Sequence, residues 1–361
     1  MQIKIKPRAV VIGLGAYFKK VRHGLSQYFD VVQLVDIRPF EALDLLPSER
    51  AYYYQTSSDL STFIIDSNAS CVMLFTPPAF HVPQIEQLAK FQIPILVEKP
   101  VATSSVEIPR LIRAIKENPR LYCSDFYADV RAVPLFHWIH PNHSTPLDSE
   151  IHFVSGDKIL WDFGLGGLGT IERIEAYLCE GLGPAGSFDG REWLWEPSQG
   201  GILLDLMYHY FALSAYLFNF EGDFIPEKIV LGSTNDQREI VPWYPEKGLA
   251  ETYALVIGQF ASGIPFSFEA AKYWPTGTKR YFSLHCVSGT VSMHFGTPNI
   301  LIIKSDDLQC EIRLEGNYYD HVIRRFCEYV IKDDQIKPYG LPQALSAIRA
   351  IDKVKSYANG T

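Results

Sequence analysis

The sequence predicts an α/β protein in which a doubly wound parallel sheet over residues 1–125 precedes an α+β domain over residues 126–361. As far as about residue 125, short apolar runs alternate with helical segments, which is typical of a parallel sheet covered on both faces. From about residue 225, longer runs with strand character follow one another without intervening helices. Such a succession favours a large, mainly antiparallel open sheet.

The first domain contains four runs that we interpret as parallel strands, because each is short, apolar and rich in β-branched residues. They are residues 8–13, Val31–Val35, Cys71–Phe75 and Ile93–Val97. A predicted helix around residues 83–91 separates the last two runs. Strands and helices in this alternation indicate a dinucleotide-binding domain.

The second domain shows four consecutive strand-like runs and ends in a helix. The runs are Thr252–Phe260, Ile264–Lys272, Arg280–Val287 and Gly289–Phe295. Four apolar residues then repeat at helical spacing near the C-terminus: Leu345, Ile348, Ile351 and Val354. This spacing predicts an amphipathic C-terminal helix, which could pack back on the first domain.

The composition argues against several classes of partner. The formal net charge is −8 and no long basic run occurs, so we expect neither a nucleic acid nor an anionic membrane as partner. No stretch approaches the roughly 20 apolar residues of a membrane span. The six cysteines are scattered without a CxxC pair, which suits reduced thiols and predicts a cytoplasmic protein.

A glycine-rich turn follows the first predicted strand. Gly13-Leu-Gly15-Ala16 lies between a strand and a helix, where glycines let the backbone approach a pyrophosphate at a helix N-terminus. The third position of the usual GxGxxG pattern is Phe18, so the turn alone is weak evidence. Asp36 strengthens it, because an acidic residue 23 positions after Gly13 can accept hydrogen bonds from the adenosine ribose.

The residues after the second strand bear on the choice of cofactor. The Asp36 carboxylate would repel a 2′-phosphate, which favours NAD(H). Arg38 lies two residues further on, and its guanidinium could instead bind the 2′-phosphate of NADP(H). A solvated loop charge is the alternative interpretation of Arg38. We therefore expect NAD, with NADP possible.

A lysine follows the fourth predicted strand in the run Val97-Glu98-Lys99-Pro100. The carboxyl edge of an open α/β sheet is where ligands bind, and the following proline restricts the backbone there. The run resembles the Glu-Lys-Pro signature of the Gfo/Idh/MocA oxidoreductases. This resemblance implies an N-terminal Rossmann domain that binds NAD(P), with Glu98 and Lys99 beside the cofactor.

The same resemblance extends to the loop after the third predicted strand. Thr76-Pro77-Pro78 is similar to the family's loop under the nicotinamide ribose, and His81 stands where the family also has a histidine. The resemblance thus adds Thr76, Pro77 and His81 to the expected cofactor contacts. From its sequence context alone, His81 is as well explained by a helix start or a core position.

Asp205 and His209 form the second candidate constellation. Their i, i+4 spacing would place both side chains on one face of a helix whose other residues are largely apolar. A buried hydrogen-bonded pair is the structural alternative. The segment around them resembles the family's Gly-Gly-Gly-x-Leu-x-Asp-x-Gly-x-His, although Gln199, Met207 and Ala212 depart from the family pattern.

The chemistry that the resemblance implies is hydride transfer between nicotinamide and a carbon that carries a hydroxyl or keto group, in a sugar, polyol or cyclitol. His209 would exchange the hydroxyl proton and Lys99 would stabilise the charge on the oxygen, although the two roles could be exchanged. Asp205 would orient His209 or bind a neighbouring hydroxyl. By analogy with the family, we also expect a homo-oligomer, either a dimer or a tetramer.

Three alternatives stay open at this point. The protein could reduce a bilin, an imine or a dihydrodiol on the same fold, or it could bind a dinucleotide as a non-catalytic sensor. A metal-dependent hydrolase could use His137, His140 and His143. Pro141 would interrupt a helix through these histidines and no acidic or cysteine partner stands at a ligand spacing, so we predict no metal site.

Overall fold

The structure is a computed structural model that describes most of the 361 residues. The described residues are 6–56, 59–125, 127–140, 151–181, 192–234, 239–243, 248–272, 274, 277–331 and 340–360. They cluster in two compact units. The first contains the described parts of 1–126, 188–193 and 317–344, and the second those of 127–187, 194–316 and 345–361.

The first unit is built on a parallel sheet of six strands. They are β1 (Arg8–Ile12), β2 (Asp30–Asp36), β3 (Tyr53–Gln55), β4 (Cys71–Leu74), β5 (Ile95–Val97) and β6 (Leu121–Cys123). Their order is β3-β2-β1-β4-β5-β6, and all neighbouring pairs are parallel. This order is that of a dinucleotide-binding sheet and confirms the predicted architecture.

Four α-helices connect these strands: α1 (Ala16–Tyr28), α2 (Ser61–Ser67), α3 (His81–Ala89) and α4 (Ile108–Glu117). Shorter 3-10 turns lie at Phe40–Ala42, Pro47–Tyr52, Pro78–Phe80 and Ser105–Glu107. The strands β3 and β6, three residues each, were not predicted, because neither lies in an apolar, β-branched run like the one that contains β5.

Besides most of the C-terminal helix, the described part of the second unit contains three α-helices and a second sheet. The three helices are α5 (Val133–Ile139), α6 (Lys158–Asp162) and α7 (Tyr208–Phe218), with a 3-10 turn at Gly164–Gly167. Another 3-10 turn, Glu192–Trp195, has its first two residues in the first unit and its last two in the second. Two π-helical turns precede α5 and α7, at Tyr127–Arg131 and Leu203–Met207 respectively.

The sheet of the second unit has ten strands among the described residues. They are β7 (Ile151–Gly156), β8 (Ile171–Cys179), β9 (Phe224–Thr234), β10 (Ile240–Pro242), β11 (Tyr253–Phe260), β12 (Pro265–Ala271), β13 (Lys279–Cys286), β14 (Gly289–His294), β15 (Asn299–Lys304) and β16 (Gln309–Leu314). Their order is β10-β9-β11-β12-β8-β13-β14-β15-β16-β7. The neighbours β8 and β12 are parallel and the other pairs antiparallel. The predicted large, mainly antiparallel sheet is confirmed.

An aromatic core fixes α7 on this sheet. The rings of Tyr210 and Phe211 on α7 each lie 5.6 Å from the ring of Phe268 on β12. Phe211 also stacks on Phe224 at the start of β9, at 5.8 Å. Aromatic pairs at such distances bury large apolar areas. The segment that carries Asp205 is therefore anchored through the helix that follows it.

Two helices end the chain: α8 (Tyr318–Ile331) and α9 (Leu341–Gly360). In the first unit α8 packs against α1, with Phe326 stacked on Phe29 at 5.8 Å. From Leu345 onward, α9 belongs to the second unit. Its four predicted core residues, Leu345, Ile348, Ile351 and Val354, are all buried.

The cysteines and the helices bear on two expectations from the sequence, reduced thiols and the lack of a membrane span. All six cysteines are buried and none of them forms a disulfide bond, which agrees with reduced thiols. Among the described residues, no helix combines the length and the apolar character that crossing a membrane requires.

Candidate active site

The carboxyl ends of four neighbouring parallel strands lie in register. Ile12 at the end of β1 pairs with Val35 of β2 and with Leu74 of β4. Leu74 in turn pairs with Val97 at the end of β5. The segments that begin at residues 13, 36, 75 and 98 therefore follow one another along a single edge of the sheet. Strands lie about 4.8 Å apart, so these segments span roughly 14 Å.

The turn after β1 has the geometry of a phosphate-binding turn. Gly13 has a φ of 89°, and a Cβ on it would lie 2.6 Å from the carbonyl carbon of Phe75. Gly15 begins α1 without a side-chain cap, and a Cβ on it would have no atom within 4 Å. A helix of 13 residues thus begins at Ala16, and the space at its N-terminus, where backbone N–H groups point outward, is open to a ligand. Phe18, the departure from the usual pattern, is buried in the core.

The Asp36 carboxylate is saturated with hydrogen bonds. It accepts one from the N–H of Leu14 at 2.7 Å and one from the N–H of Arg38 at 3.0 Å. The guanidinium of Arg38 donates two more, from Nε at 2.9 Å and from Nη2 at 2.8 Å. Burial alone would raise the pKa of Asp36, but these hydrogen bonds together hold it below the ordinary value. Asp36 is therefore ionised.

His81 joins two of the loops at this edge. Its Nδ1 lies 2.8 Å from the carbonyl oxygen of Pro100, and its Nε2 lies 2.7 Å from that of Thr76. The ring is buried, and burial lowers its pKa despite the two carbonyls. A neutral imidazole carries one N–H, so His81 donates a hydrogen bond to one of these two carbonyls at a time, and the geometry gives it a bracing contact between the loops. A direct contact with the cofactor stays a prediction.

Lys99 and Thr76 lie on adjacent loops of the same edge. Lys99 is half-buried and follows β5, where the N–H of Glu98 donates to the carbonyl of Leu74 at 3.1 Å. The Thr76 hydroxyl donates to Oε1 of Gln84 at 2.7 Å, and Pro77 follows it. The sheet edge thus brings together every cofactor residue that the sequence predicted, from Gly13 to Lys99.

Asp205 and His209 do not lie on one regular α-helix, so this part of the prediction was wrong. Asp205 is in the π-helical turn Leu203–Met207, and the N–H of Tyr208 donates to the carbonyl of Leu203, five residues back. The α-helix begins only at Tyr208. The i, i+4 pattern cannot reveal a residue inserted into a wide turn. Such turns occur frequently at functional sites.

Glu251 holds the start of this segment. The N–H of Leu203 donates to Oε1 of Glu251 at 3.1 Å, and that of Ile202 donates to its backbone carbonyl at 2.9 Å. Gly201 has a φ of 86°, and a Cβ on it would lie 2.4 Å from Oε1 of Glu251. Burial raises the pKa of Glu251, against the weaker effects of Lys355 and the backbone hydrogen bonds. The glycine is needed because the carboxyl group lies against its Cα.

A buried lysine that was not predicted from the sequence holds Asp205. Nζ of Lys272 lies 2.8 Å from Oδ2 of Asp205, and it also pairs with Glu180. Nη2 of Arg280 reaches Oε1 of Glu180 at 2.9 Å. Burial would lower the pKa of Lys272, but Asp205 and Glu180 together raise it, so the ammonium stays charged. Lys272 follows β12 as Lys99 follows β5, and this shared placement is the signal that could have identified it.

His209 packs against an aromatic and cationic cluster from the first π-helical turn. Its ring centroid lies 4.4 Å from that of Tyr127, which also contacts the ring of Phe295 at 4.8 Å. The guanidinium of Arg131 lies 5.2 Å from the Tyr127 centroid. His209 is buried. Tyr127, Arg131 and Phe295 were not predicted, because contacts between distant segments leave no local pattern.

Two of the three histidines considered for a metal site, His137 and His140, lie in the described part of the chain. No group of three or more histidine, cysteine or acidic side chains suited to a metal occurs in that part of the chain. Nε2 of His140 lies 2.9 Å from the carbonyl oxygen of Leu217, and His137 is buried on α5. His143 lies outside the described residues.

Two family models match the chain. Residues 7–126 match the model of the oxidoreductase family with an NAD-binding Rossmann fold. Residues 165–292 match the model of the GFO/IDH/MocA C-terminal domain. No sequence among the curated proteins matches this chain.

Solved structures of similar fold cover nearly the whole chain. The aldose-aldose oxidoreductase from Caulobacter crescentus, complexed with glycerol, has a TM-score of 0.71 at 17% identity, over 99% of this chain and 98% of that chain. The 3-ketoreductase KijD10 from Actinomadura kijaniata, in complex with NADP and TDP-benzene, has a TM-score of 0.71 at 15% identity, over 98% of each chain. UDP-N-acetylglucosamine 3-dehydrogenase from Acidithiobacillus ferrooxidans has a TM-score of 0.68 at 15% identity, over 98% of this chain and 97% of that chain.

Proposed function

Because the chain belongs to the GFO/IDH/MocA oxidoreductase family, we propose that it interconverts a hydroxyl and a keto group on a sugar, polyol or cyclitol. The observation that carries the proposal is the sheet edge along which the Gly13 turn, Asp36 and Lys99 follow one another. The names of the neighbouring structures, which include an aldose oxidoreductase and a nucleotide-sugar dehydrogenase, support a substrate of this class.

The residues of the first unit fit a dinucleotide. The space before Gly15 and the N-terminus of α1 would receive the pyrophosphate, and Asp36 with Arg38 would face the adenosine ribose. Thr76, Pro77, Glu98 and Lys99 would lie at the nicotinamide end. When bound, NAD(P) supplies or accepts the hydride.

Lys99 would act on the oxygen of the reacting carbon. An ammonium group donates hydrogen bonds and carries a positive charge, so it stabilises the negative charge that develops on that oxygen during hydride transfer. The position of Lys99 after a buried strand limits the movement of its backbone. Placement of this kind reduces the reorganisation needed at the moment of reaction.

His209 would exchange the hydroxyl proton, since oxidation of an alcohol needs a base and imidazole is the most frequent general base in enzymes. Asp205 would orient His209 or bind a neighbouring substrate hydroxyl. The ion pair with Lys272 keeps Asp205 in place, which makes Lys272 a positioning residue. Assembly into a dimer or tetramer stays a prediction.

The test is a screen of aldoses, polyols and cyclitols with NAD⁺ and NADP⁺, followed by nicotinamide absorbance. On a substrate found in this way, Lys99→Ala should lower kcat by about 10²- to 10³-fold. His209→Ala should lower it by about 10²- to 10⁴-fold and remove the acidic limb of the pH profile for oxidation. Both variants should bind NADH within a few-fold of the wild type.

Other outcomes would favour the alternatives. Turnover only with a bilin, an imine or a dihydrodiol would replace the substrate class while retaining the cofactor site. NADH binding without turnover of any tested compound would favour a sensor. If His209→Ala retains near-full activity and an unchanged pH profile, Lys99 becomes the candidate for proton transfer and the role of His209 is structural.

A further inference from the structure

Asp36 at the end of β2 is not placed as a residue that selects NAD(H) alone would be. Its carboxylate is already paired with Arg38, two residues further along the chain. Only 5% of the Asp36 side chain is exposed, compared with 39% of the Arg38 side chain. The guanidinium lies across both carboxylate oxygens in a two-pronged contact. A ribose hydroxyl that approaches Asp36 must therefore compete with Arg38 for the same oxygens.

The backbone of this segment is fixed by the neighbouring strand β3. The hydroxyl of Tyr53 donates to the carbonyl of Arg38, and Nε2 of Gln55 donates to that of Ile37 at 3.1 Å. The N–H of Thr56 donates to the carbonyl of Asp36 at 2.9 Å. With the main chain held at three consecutive carbonyls, the part of Arg38 that can adjust to a ligand is its side chain.

The two cofactors place different demands on this pair. The 2′-hydroxyl of NAD(H) can donate a hydrogen bond to Asp36, but both carboxylate oxygens of Asp36 already accept hydrogen bonds from Arg38. The 2′-phosphate of NADP(H) carries negative charge and would be repelled by an ionised carboxylate, unless a cation lies between them. A guanidinium has five N–H donors in a planar fork, and its geometry suits a carboxylate on one edge and a phosphate on another.

We propose that Asp36 and Arg38 form one cofactor-selecting pair, in which Asp36 holds Arg38 beside the adenosine ribose and Arg38 binds the 2′-phosphate of NADP(H). The protein then binds NADPH and NADH with dissociation constants within about tenfold of each other. The preference for NAD(H) expected from the sequence assumed a carboxylate open to the ribose. The proposal concerns binding by the first unit and does not depend on the identity of the substrate.

The experiment is a titration of the full chain with NADPH and with NADH, followed by nicotinamide fluorescence, without substrate. Arg38→Ala should weaken NADPH binding by about 10- to 100-fold, as loss of a charged hydrogen bond does, and leave NADH within a few-fold. Arg38→Lys should restore part of the NADPH affinity, because it keeps the charge but loses the fork. Added salt should weaken NADPH binding more than NADH binding in the wild type.

Arg50→Ala is the matched control. Arg50 is another exposed arginine of the first unit, and it pairs with Glu41 at 2.7 Å rather than with Asp36. This variant should bind both cofactors as the wild type does. Thermal unfolding of each variant without cofactor checks that the first unit is folded.

Two results would overturn the proposal. The first is a wild-type preference for NADH of more than tenfold, which needs no variant to establish. The second is a folded Arg38→Ala variant that keeps the wild-type ratio of the two dissociation constants. An equal loss of both cofactors counts as this second result, since a purely structural role for Arg38 would have this effect.

Discussion

The two candidate regions of the molecule differ in the chemical groups that form them: backbone groups in one, charged side chains in the other. At the edge of the parallel sheet, backbone groups supply the glycine turn, the helix N-terminus and the carbonyls beside His81. In the second unit, charged side chains from distant segments form the candidate site, with Asp205 held by Lys272. A site built from backbone groups depends on the backbone conformation of a few residues. A site built from ion-paired side chains depends on the charge of each side chain.

The sharpest test of this difference is Lys272→Met. The substitution removes the cation between the buried carboxylate of Asp205 and the half-buried carboxylate of Glu180, and loss of one partner of a buried pair typically costs about 3–5 kcal/mol. We expect a loss of about that size in the free energy of unfolding, measured by urea denaturation. Adding Asp205→Asn to Lys272→Met should recover part of the loss, because it removes an uncompensated charge.

Lys304→Met is the control for this prediction. Lys304 also stands at the end of a strand, β15, but its side chain is exposed. Its replacement should change the free energy of unfolding by no more than about 0.5 kcal/mol. A similarly small change for Lys272→Met would show that the charges around Asp205 contribute little to the fold.

At the edge of the parallel sheet, alanine substitutions of two glycines in one turn should have different effects. Gly13→Ala forces a side chain into a left-handed conformation and into the backbone of Phe75, so the free energy of unfolding should fall by about 2–4 kcal/mol. Gly15 has a φ of −84° and open space at its Cβ. Gly15→Ala should leave unfolding nearly unchanged and weaken NADH binding at least tenfold, because the methyl group occupies the proposed pyrophosphate position.

Urea denaturation and NADH titration of both variants decide between these outcomes. If Gly15→Ala binds NADH as the wild type does, the pyrophosphate lies elsewhere. If Gly13→Ala is as stable as the wild type, the close approach of this turn to Phe75 does not determine the conformation.

The smallest effect should come from His81, through pH. Burial lowers its pKa, so the folded protein binds the proton less tightly than the unfolded chain does. The stability that neutral His81 contributes is present above the unfolded pKa of about 6.5, and it is lost as pH falls through the lowered folded value. His81→Gln should remove this component from the pH dependence of the free energy of unfolding.

His152→Gln provides the comparison, since His152 is exposed on β7. The free energy of unfolding of this variant should depend on pH as that of the wild type does. An unchanged pH dependence in His81→Gln would mean that burial does not lower the pKa of His81 in the folded protein.

Sequence and structure agree where function depends on local chain geometry. The glycine turn, Asp36 and Lys99 each follow a short apolar strand, and strand ends can be recognised from the residues themselves. The parallel order of those strands then brings the segments to one edge. Such a site is predictable because neighbouring residues specify each part.

The site in the second unit was predicted only in part, for a physical reason. Asp205 and His209 stand in a recognisable motif, but Lys272, which pairs with both Asp205 and Glu180, is brought there by strand pairing between segments far apart in the chain. The π-helical turn likewise depends on Glu251, a distant residue that binds the N–H of Leu203. Spacing within one segment carries no information about such contacts.

The parallel pair β8–β12 also has a kinetic consequence. Ile174 pairs with Phe266 on one side of β8 and with Leu284 of β13 on the other, so both partners of β8 are synthesised much later than β8 itself. Pairings between such distant segments form slowly, because a long loop must close before any contact repays its entropy. Until then, both edges of β8 are exposed to other chains. Since Asp205 lies in the loop that this pairing closes, its ion pair with Lys272 should be among the last features of the second unit to form during folding.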